Sequence, residues 1–239
     1  MQISVHQPSK ILQPYIDSFM QVDIDWKNCS LPRNWRLIPF GKPSVIFLFG
    51  DPHFYHLADA PPEPTPNAFL VGQLKEPIWL QFGGHTKMVK VQFRPAGMRQ
   101  FMKNEMNEFT NKACIQLQSI WGTAVNALLE QLEGFPQFSA PILNEFFEGR
   151  LLPHLQQTDY INYAIAQFES CMGNMTVTDL EDQIFISGRH LERIFRKSVG
   201  LTPNEYRKLI RLNQAFKFLD KNPGTSFTNL SHSIGYYCL

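Results

Sequence analysis

Cysteine is scarce in this chain of 239 residues, and its four copies are scattered at Cys29, Cys114, Cys171 and Cys238. That count excludes a disulfide scaffold, and the absence of CxxC spacing excludes the usual structural zinc arrangement. No apolar run approaches the roughly 18 residues that a membrane helix needs. The first thirty residues hold no signal-peptide core either, since only Ile11 and Leu12 follow Lys10 before polar residues resume. The chain therefore reads as soluble and cytoplasmic. Also missing are G-x-S-x-G, the P-loop and G-x-G-x-x-G, so no enzyme chemistry and no cofactor is expected. His53 and His56 form an H-x-x-H that lacks further ligands in a recognised pattern; they read as surface loop histidines, with no metal. Net charge is small as well, at +1.

Apolar and aromatic side chains are what the sequence has in quantity. Twenty Phe, seven Tyr and four Trp supply enough surface to offset chain entropy and exclude a disordered chain. The near-neutral total hides an asymmetry: Arg189 to Lys221 carries nine basic residues against Glu192, Glu205 and Asp220. That excess is a modest electrostatic footprint for a polyanion, although a charge run is more often a solvated face.

Residues 1–95 read as β-structure. Val89, Val91 and Phe93 alternate with polar neighbours over Lys87 to Arg94, and Val45 to Leu48 form a continuous apolar run closed by Gly50-Asp51-Pro52. Asn67 to Val71 and Ile78 to Phe82 are further candidate strands. Four prolines between Ala58 and Asn67 predict an exposed loop with neither strand nor helix, and Gly83-Gly84-His85-Thr86 predicts a hairpin turn. Short strands with turns between them suggest a sandwich or barrel. Helical periodicity follows over residues 97–152. One stripe runs from Leu117 to Leu132, ended by Gly134 and Pro136, and a second from Ile142 to Leu151, stopped by Pro153. Either stripe, 117–132 or 142–151, is a possible homodimer seam as well as intramolecular core. The fold class is accordingly α+β, with a domain boundary at Pro153 to Thr158 between residues 1–152 and residues 159–239.

Four helices follow that boundary in quick succession. Ile161, Ala164, Ile165 and Phe168 mark the first, ending near Gly173-Asn174. Thr176 with Asp179 forms a capping box for the second, Ser187 caps a third that Gly200 closes, and Thr202-Pro203-Asn204-Glu205 opens a long fourth. The second and third have the layout of a helix-turn-helix. At about 100° per residue, Leu191, Ile194 and Phe195 share one arc of the third helix, while Arg189, Glu192, Arg193 and Arg196 share the opposite one. Arginine offers a planar donor fork to guanine or phosphate, and glutamate can accept from cytosine. Arg189, His190, Glu192 and Arg193 are therefore candidate base readers in the major groove of double-stranded DNA, and Ser187, Arg196 and Lys197 candidate phosphate contacts. An ordinary surface helix carrying a Glu192–Arg196 pair accounts equally well for the angles.

The motifs Met175-Thr-Val-Thr-Asp-Leu, Ile186-Ser-Gly-Arg-His-Leu-Glu-Arg-Ile-Phe-Arg-Lys197, Gly200-Leu-Thr-Pro-Asn-Glu-Tyr206 and Arg211-Leu-Asn-Gln-Ala215 settle the preference by resemblance. In order and spacing they resemble the DNA-binding domain of AraC/XylS-type transcription regulators, over about Tyr160 to Tyr237. The resemblance implies two helix-turn-helix units joined by a long linker helix, here Tyr206 to Leu219. It places Arg189, Glu192 and Arg193 at base-reading positions and Leu191, Phe195, Pro203 and Tyr206 in the core. Glu181 departs from the pattern where the family has a small alanine, and should crowd the recognition helix. Phe185 departs where the turn takes a small or polar residue. Ser226 to Tyr237 resembles the start of the second unit, whose recognition helix is not reached before Leu239, so weak DNA binding through one helix is expected. Leu37-Ile-Pro-Phe-Gly41, Gly72-Gln73, Phe93-Arg-Pro-Ala-Gly97 and Trp121-Gly122 resemble an uncharacterised sensor region found ahead of such domains. They imply a cupin-like β-fold that senses an unknown small-molecule effector or mediates dimerisation. The alternative is a small-molecule or protein-binding module that no longer reads DNA.

Overall fold

The computed structural model describes residues 1–58, 60–133, 140–152 and 158–233. The amino-terminal strands are β1 (Gln2–His6), β2 (Ile16–Asp25), β3 (Asn34–Leu37), β4 (Ser44–Gly50), β5 (Phe54–Leu57), β6 (Glu63–Pro64), β7 (Ala68–Val71), β8 (Ile78–Gln81), β9 (His85–Phe93) and β10 (Ile115–Gln116). They make two antiparallel sheets, ordered β1-β2-β9-β4-β7-β10 and β3-β8-β5-β6. The helices are α1 (Gln118–Trp121), α2 (Ala124–Glu133), α3 (Ala140–Glu148), α4 (Thr158–Ser170), α5 (Val177–Ile184), α6 (Gly188–Val199), α7 (Pro203–Lys221) and α8 (Phe227–Ser233). No described helix is long and apolar enough to cross a membrane.

The six-stranded sheet is the middle layer of three. β9 pairs with β2 on one side and β4 on the other, and its pleat sorts its residues between two cores. Val89, Val91 and Phe93 join Phe19, Val45 and Phe47 against Val125, Leu128, Leu132, Leu143 and Phe147 of α2 and α3. Met88 faces the other way, toward Ile46, Leu48, Phe69 and Ile78 between the sheets. β4 is covered on both faces, which explains why Val45 to Leu48 reads as an unbroken apolar run.

Four expectations are corrected. The stripe from Leu117 to Leu132 is two helices, because Gly122 at φ 65°, ψ −150° breaks the turn between α1 and α2. The proline-rich loop does contain strand: Glu63–Pro64 pairs with Phe54 and Tyr55 at a sheet edge, where proline costs no ladder bond. Gly83-Gly84 is not a hairpin turn, since β8 and β9 lie in different sheets. Instead, Asp51 packs against both glycines, and its carboxylate accepts from the His85 amide at 2.7 Å. His53 is not a surface histidine: it is 4% exposed, while His56 stacks on Trp79 from β5. Among the described residues no His/Cys/Asp/Glu group could hold a metal.

The inward sides of the two stripes offered as dimer seams pack within the molecule, and Leu129, Ile142 and Phe146 beside them are half-buried. Val125, Leu128, Leu132, Leu143 and Phe147 are all buried against the sheet, and no large apolar side chain of α2 or α3 is exposed. The domain boundary at 153–157 and the terminal residues 234–239, including Gly235 and Cys238, lie outside the described residues.

Candidate nucleic-acid interface

The sequence builds α6 as a two-faced helix and closes both its ends. Thr176 accepts from the Asp179 amide and Asp179 from the Thr176 amide, fixing the start of α5. Phe185 then turns the chain in the left-handed region at φ 54°, ψ 34°, leaving its ring 92% exposed. Ser187 caps α6 by accepting from the His190 amide, and Gly200 at φ 90° ends it.

The inward face packs as the periodicity requires. Leu191, Ile194, Phe195 and Val199 are buried with Ile161, Ala164 and Phe168 of α4 and Tyr206, Leu209 and Ile210 of α7. Phe195 meets Phe168 edge-on at 6.5 Å and Tyr206 at 5.6 Å. Tyr206 is 1% exposed, and its hydroxyl donates to Glu169 at 2.9 Å. Burial, with the Glu169 carboxylate beside it, raises its pKa well above the usual tyrosine value, so the phenol stays protonated.

The outward face holds the residues singled out in the sequence. Arg189, Glu192, Arg193 and Arg196 are exposed together, with Ser187 at the helix start and His190 half-buried beside them. Arg196 pairs with Glu192 at 2.9 Å, and Arg193 donates to His190 Nδ1 at 3.3 Å. Both contacts are solvent-facing and weak, of order a few tenths of a kcal/mol, so an incoming phosphate or guanine competes readily for the guanidinium groups.

Lys197 is engaged elsewhere. Its ammonium pairs with Glu105, at the start of a short 3-10 turn (Met106–Phe109) in the amino-terminal half. Beside it, the Thr110 hydroxyl donates to the Gly200 carbonyl, and a Cβ at Gly200 would come within 2.9 Å of the Met106 carbonyl oxygen. Lys75 pairs with Glu205 at 2.7 Å, and the Asn213 amide donates to the Phe40 carbonyl at 3.3 Å. Gly41, at φ 75°, lets the backbone close on Tyr206 and Leu209, and Ala96 belongs to the same core as α6. Glu105, Thr110 and Lys75 carried no sequence signal. Gly41 and Ala96 did, as members of the Leu37–Gly41 and Phe93–Gly97 motifs.

Comparison with known proteins agrees with this layout. Residues 169–208 match the model "Bacterial regulatory helix-turn-helix proteins, AraC family", and residues 4–115 match "Domain of unknown function (DUF6597)". The chain is 30% identical over 120 residues to the Msm operon regulatory protein of Streptococcus mutans, covering 48% of this chain and 41% of that protein. It is 39% identical over 66 residues to the uncharacterized HTH-type transcriptional regulator YbfI of Bacillus subtilis, covering 25% and 24%. The chain thus spans less than half the length of either relative. A solved structure of ToxT from Vibrio cholerae shares 10% identity at a TM-score of 0.46, over 90% of this chain and 89% of that one. The chain thus matches an AraC-family helix-turn-helix over residues 169–208, preceded by a match to DUF6597 over residues 4–115.

Proposed function

We propose that this chain is a sequence-specific DNA-binding transcription regulator in which α6 enters the major groove and residues 1–152 sense a small-molecule effector. One observation carries the reading: Arg189, Glu192, Arg193 and Arg196 stand exposed on one arc while the opposite arc of the same helix is fully packed. Arg189, His190, Glu192 and Arg193, on the amino-terminal turns of α6, address base edges. Ser187 and Arg196 address phosphate, the former while it caps the helix. Lys197 joins them only when it leaves Glu105. On this reading the Glu105–Lys197 pair and the Thr110–Gly200 contact are where the amino-terminal half touches the reading helix, so a change there reaches DNA through α6. The two-sheet unit acts as a cupin-like sensor, and residues 159–233 as the DNA-binding unit.

The placement is tested by methylation protection on DNA selected by the chain from a random pool. Arginine bound to guanine in the major groove shields N7. Protection at guanine N7 that disappears in Arg193→Ala supports the reading; protection confined to minor-groove adenine N3 contradicts it.

A further inference from the structure

The space between the two sheets is not fully packed. A cavity of about 210 Å³ lies there, walled by Ile46 and Phe69 from the six-stranded sheet, Trp35 and Leu80 from the other, and Trp26 with Phe82 at one end. Trp26 and Phe82 stack at 4.9 Å, and Trp35 sets its edge against both at 6.0 and 5.7 Å. Its volume falls below the roughly 300–1,000 Å³ of a drug-sized site, so the occupant is compact.

Among the polar side chains that line it, His53 and Lys90 stand out. His53 Nδ1 lies 3.4 Å from the Gly83 amide nitrogen and can accept its hydrogen, in which case the neutral ring carries its proton on Nε2. That buried Nε2 has no hydrogen-bond partner in the structure, although His53 is only 4% exposed. Burial holds the ring below the ordinary histidine pKa, against the opposing pull of the Pro52 and Asp51 backbone and the Asp51 carboxylate. Lys90 also lines the cavity, and among the described residues it makes no ion pair. Burial, and secondarily Lys42, lowers its pKa. Thr86 already accepts from the Trp26 indole at 2.7 Å. An orphan N–H and an unpaired amine beside apolar walls call for a group that only accepts hydrogen bonds, and an ionised carboxylate is that group.

We propose that this cavity binds a small carboxylic acid with a compact apolar body, its carboxylate held by Lys90 and the His53 Nε2 hydrogen and its body seated against Trp26, Trp35 and Phe82. The proposal gives a chemical class to the effector of the reading above, yet its test needs no DNA.

The full chain is titrated with cyclohexanecarboxylate and with cyclohexylmethanol, which share a ring and differ in the head group. Two of the four tryptophans line the cavity, so their fluorescence reports occupancy. The acid is expected to bind at least about tenfold more tightly than the alcohol, the ratio a charge-assisted hydrogen bond supplies. Lys90→Met should abolish that preference, and Leu80→Trp, which fills the cavity, should block both probes. Equal affinity for acid and alcohol, or an acid preference that survives in Lys90→Met, would overturn the proposal. So would no response to either probe at millimolar concentration, which would leave the cavity to water. If Lys90→Met fails to fold, the acid-to-alcohol ratio in the unaltered chain decides alone. Because DNA is absent throughout, loss of the DNA-reading model leaves this result standing, and the reverse.

Discussion

The Glu181 carboxylate of α5 lies over Gly188, the first residue of α6: a Cβ built there would come within 2.0 Å of its Oε1. A glutamate at a position where alanine is usual should crowd the recognition helix, and the glycine opposite it removes the crowding. The absence of a side chain at Gly188 thus makes room for the large one at Glu181 across the turn.

Gly188→Ala should cost little, within about 1 kcal/mol, because the atom in the way ends a flexible side chain that can swing aside. Gly200→Ala should cost more, about 1–2 kcal/mol, since its φ of 90° is strained for alanine and the obstacle is the Met106 backbone. Urea unfolding of the two variants side by side checks the order; equal losses would show that neither contact is as described.

Removing Glu105 should release Lys197 toward DNA. Both partners are only half-exposed but keep access to solvent, so Glu105→Ala should change stability by about 1 kcal/mol or less. On the DNA-reading account it should steepen the salt dependence of DNA binding by about one ion. A slope unchanged from the parent chain would mean that Lys197 contributes nothing to phosphate binding.

Thr176 and Thr202 each close a reciprocal capping box, at α5 and α7. Alanine at either position leaves amide donors of the first turn unpaired and should lower stability by about 1 kcal/mol. Thermal unfolding followed by circular dichroism measures it, and a neutral Thr202→Ala would show that Lys75–Glu205 and Pro203 suffice to start α7.

Cys114 should resist alkylation. Burial, reinforced by the Glu63 carboxylate, pushes its thiol up to about 12, and the thiolate is the reactive form. At pH 8 iodoacetamide should label half-buried Cys29 and Cys171 well before Cys114 in the folded chain. Raising the pH toward 12 populates the Cys114 thiolate, so its labelling should rise there.

What the sequence makes legible is what local chemistry decides. The alternation of Val89, Val91 and Phe93, the capping boxes at Thr176 and Thr202, and the two arcs of α6 each follow from neighbours within one turn or one pleat. What escapes is decided by distant partners. Gly83-Gly84 looks like a hairpin until Asp51 pins it between two sheets, and His53 reads as a loop residue until Phe82 and Gly83 enclose it. β2 hides its alternation behind a register shift between Ile16 and Ser18. Lys197 falls on the basic side of α6 and reads as a phosphate contact; the ion pair it makes with Glu105, 92 residues away in sequence, left no local signal.

The central claim is that the outward arginines of α6 read DNA. Its most direct test is fluorescence anisotropy of a labelled duplex with the chain and with Arg189→Ala/Arg193→Ala, each at two salt concentrations. The account predicts salt-sensitive binding that the double variant loses while its unfolding transition stays in place. Binding of equal strength and equal salt slope in both proteins would contradict it.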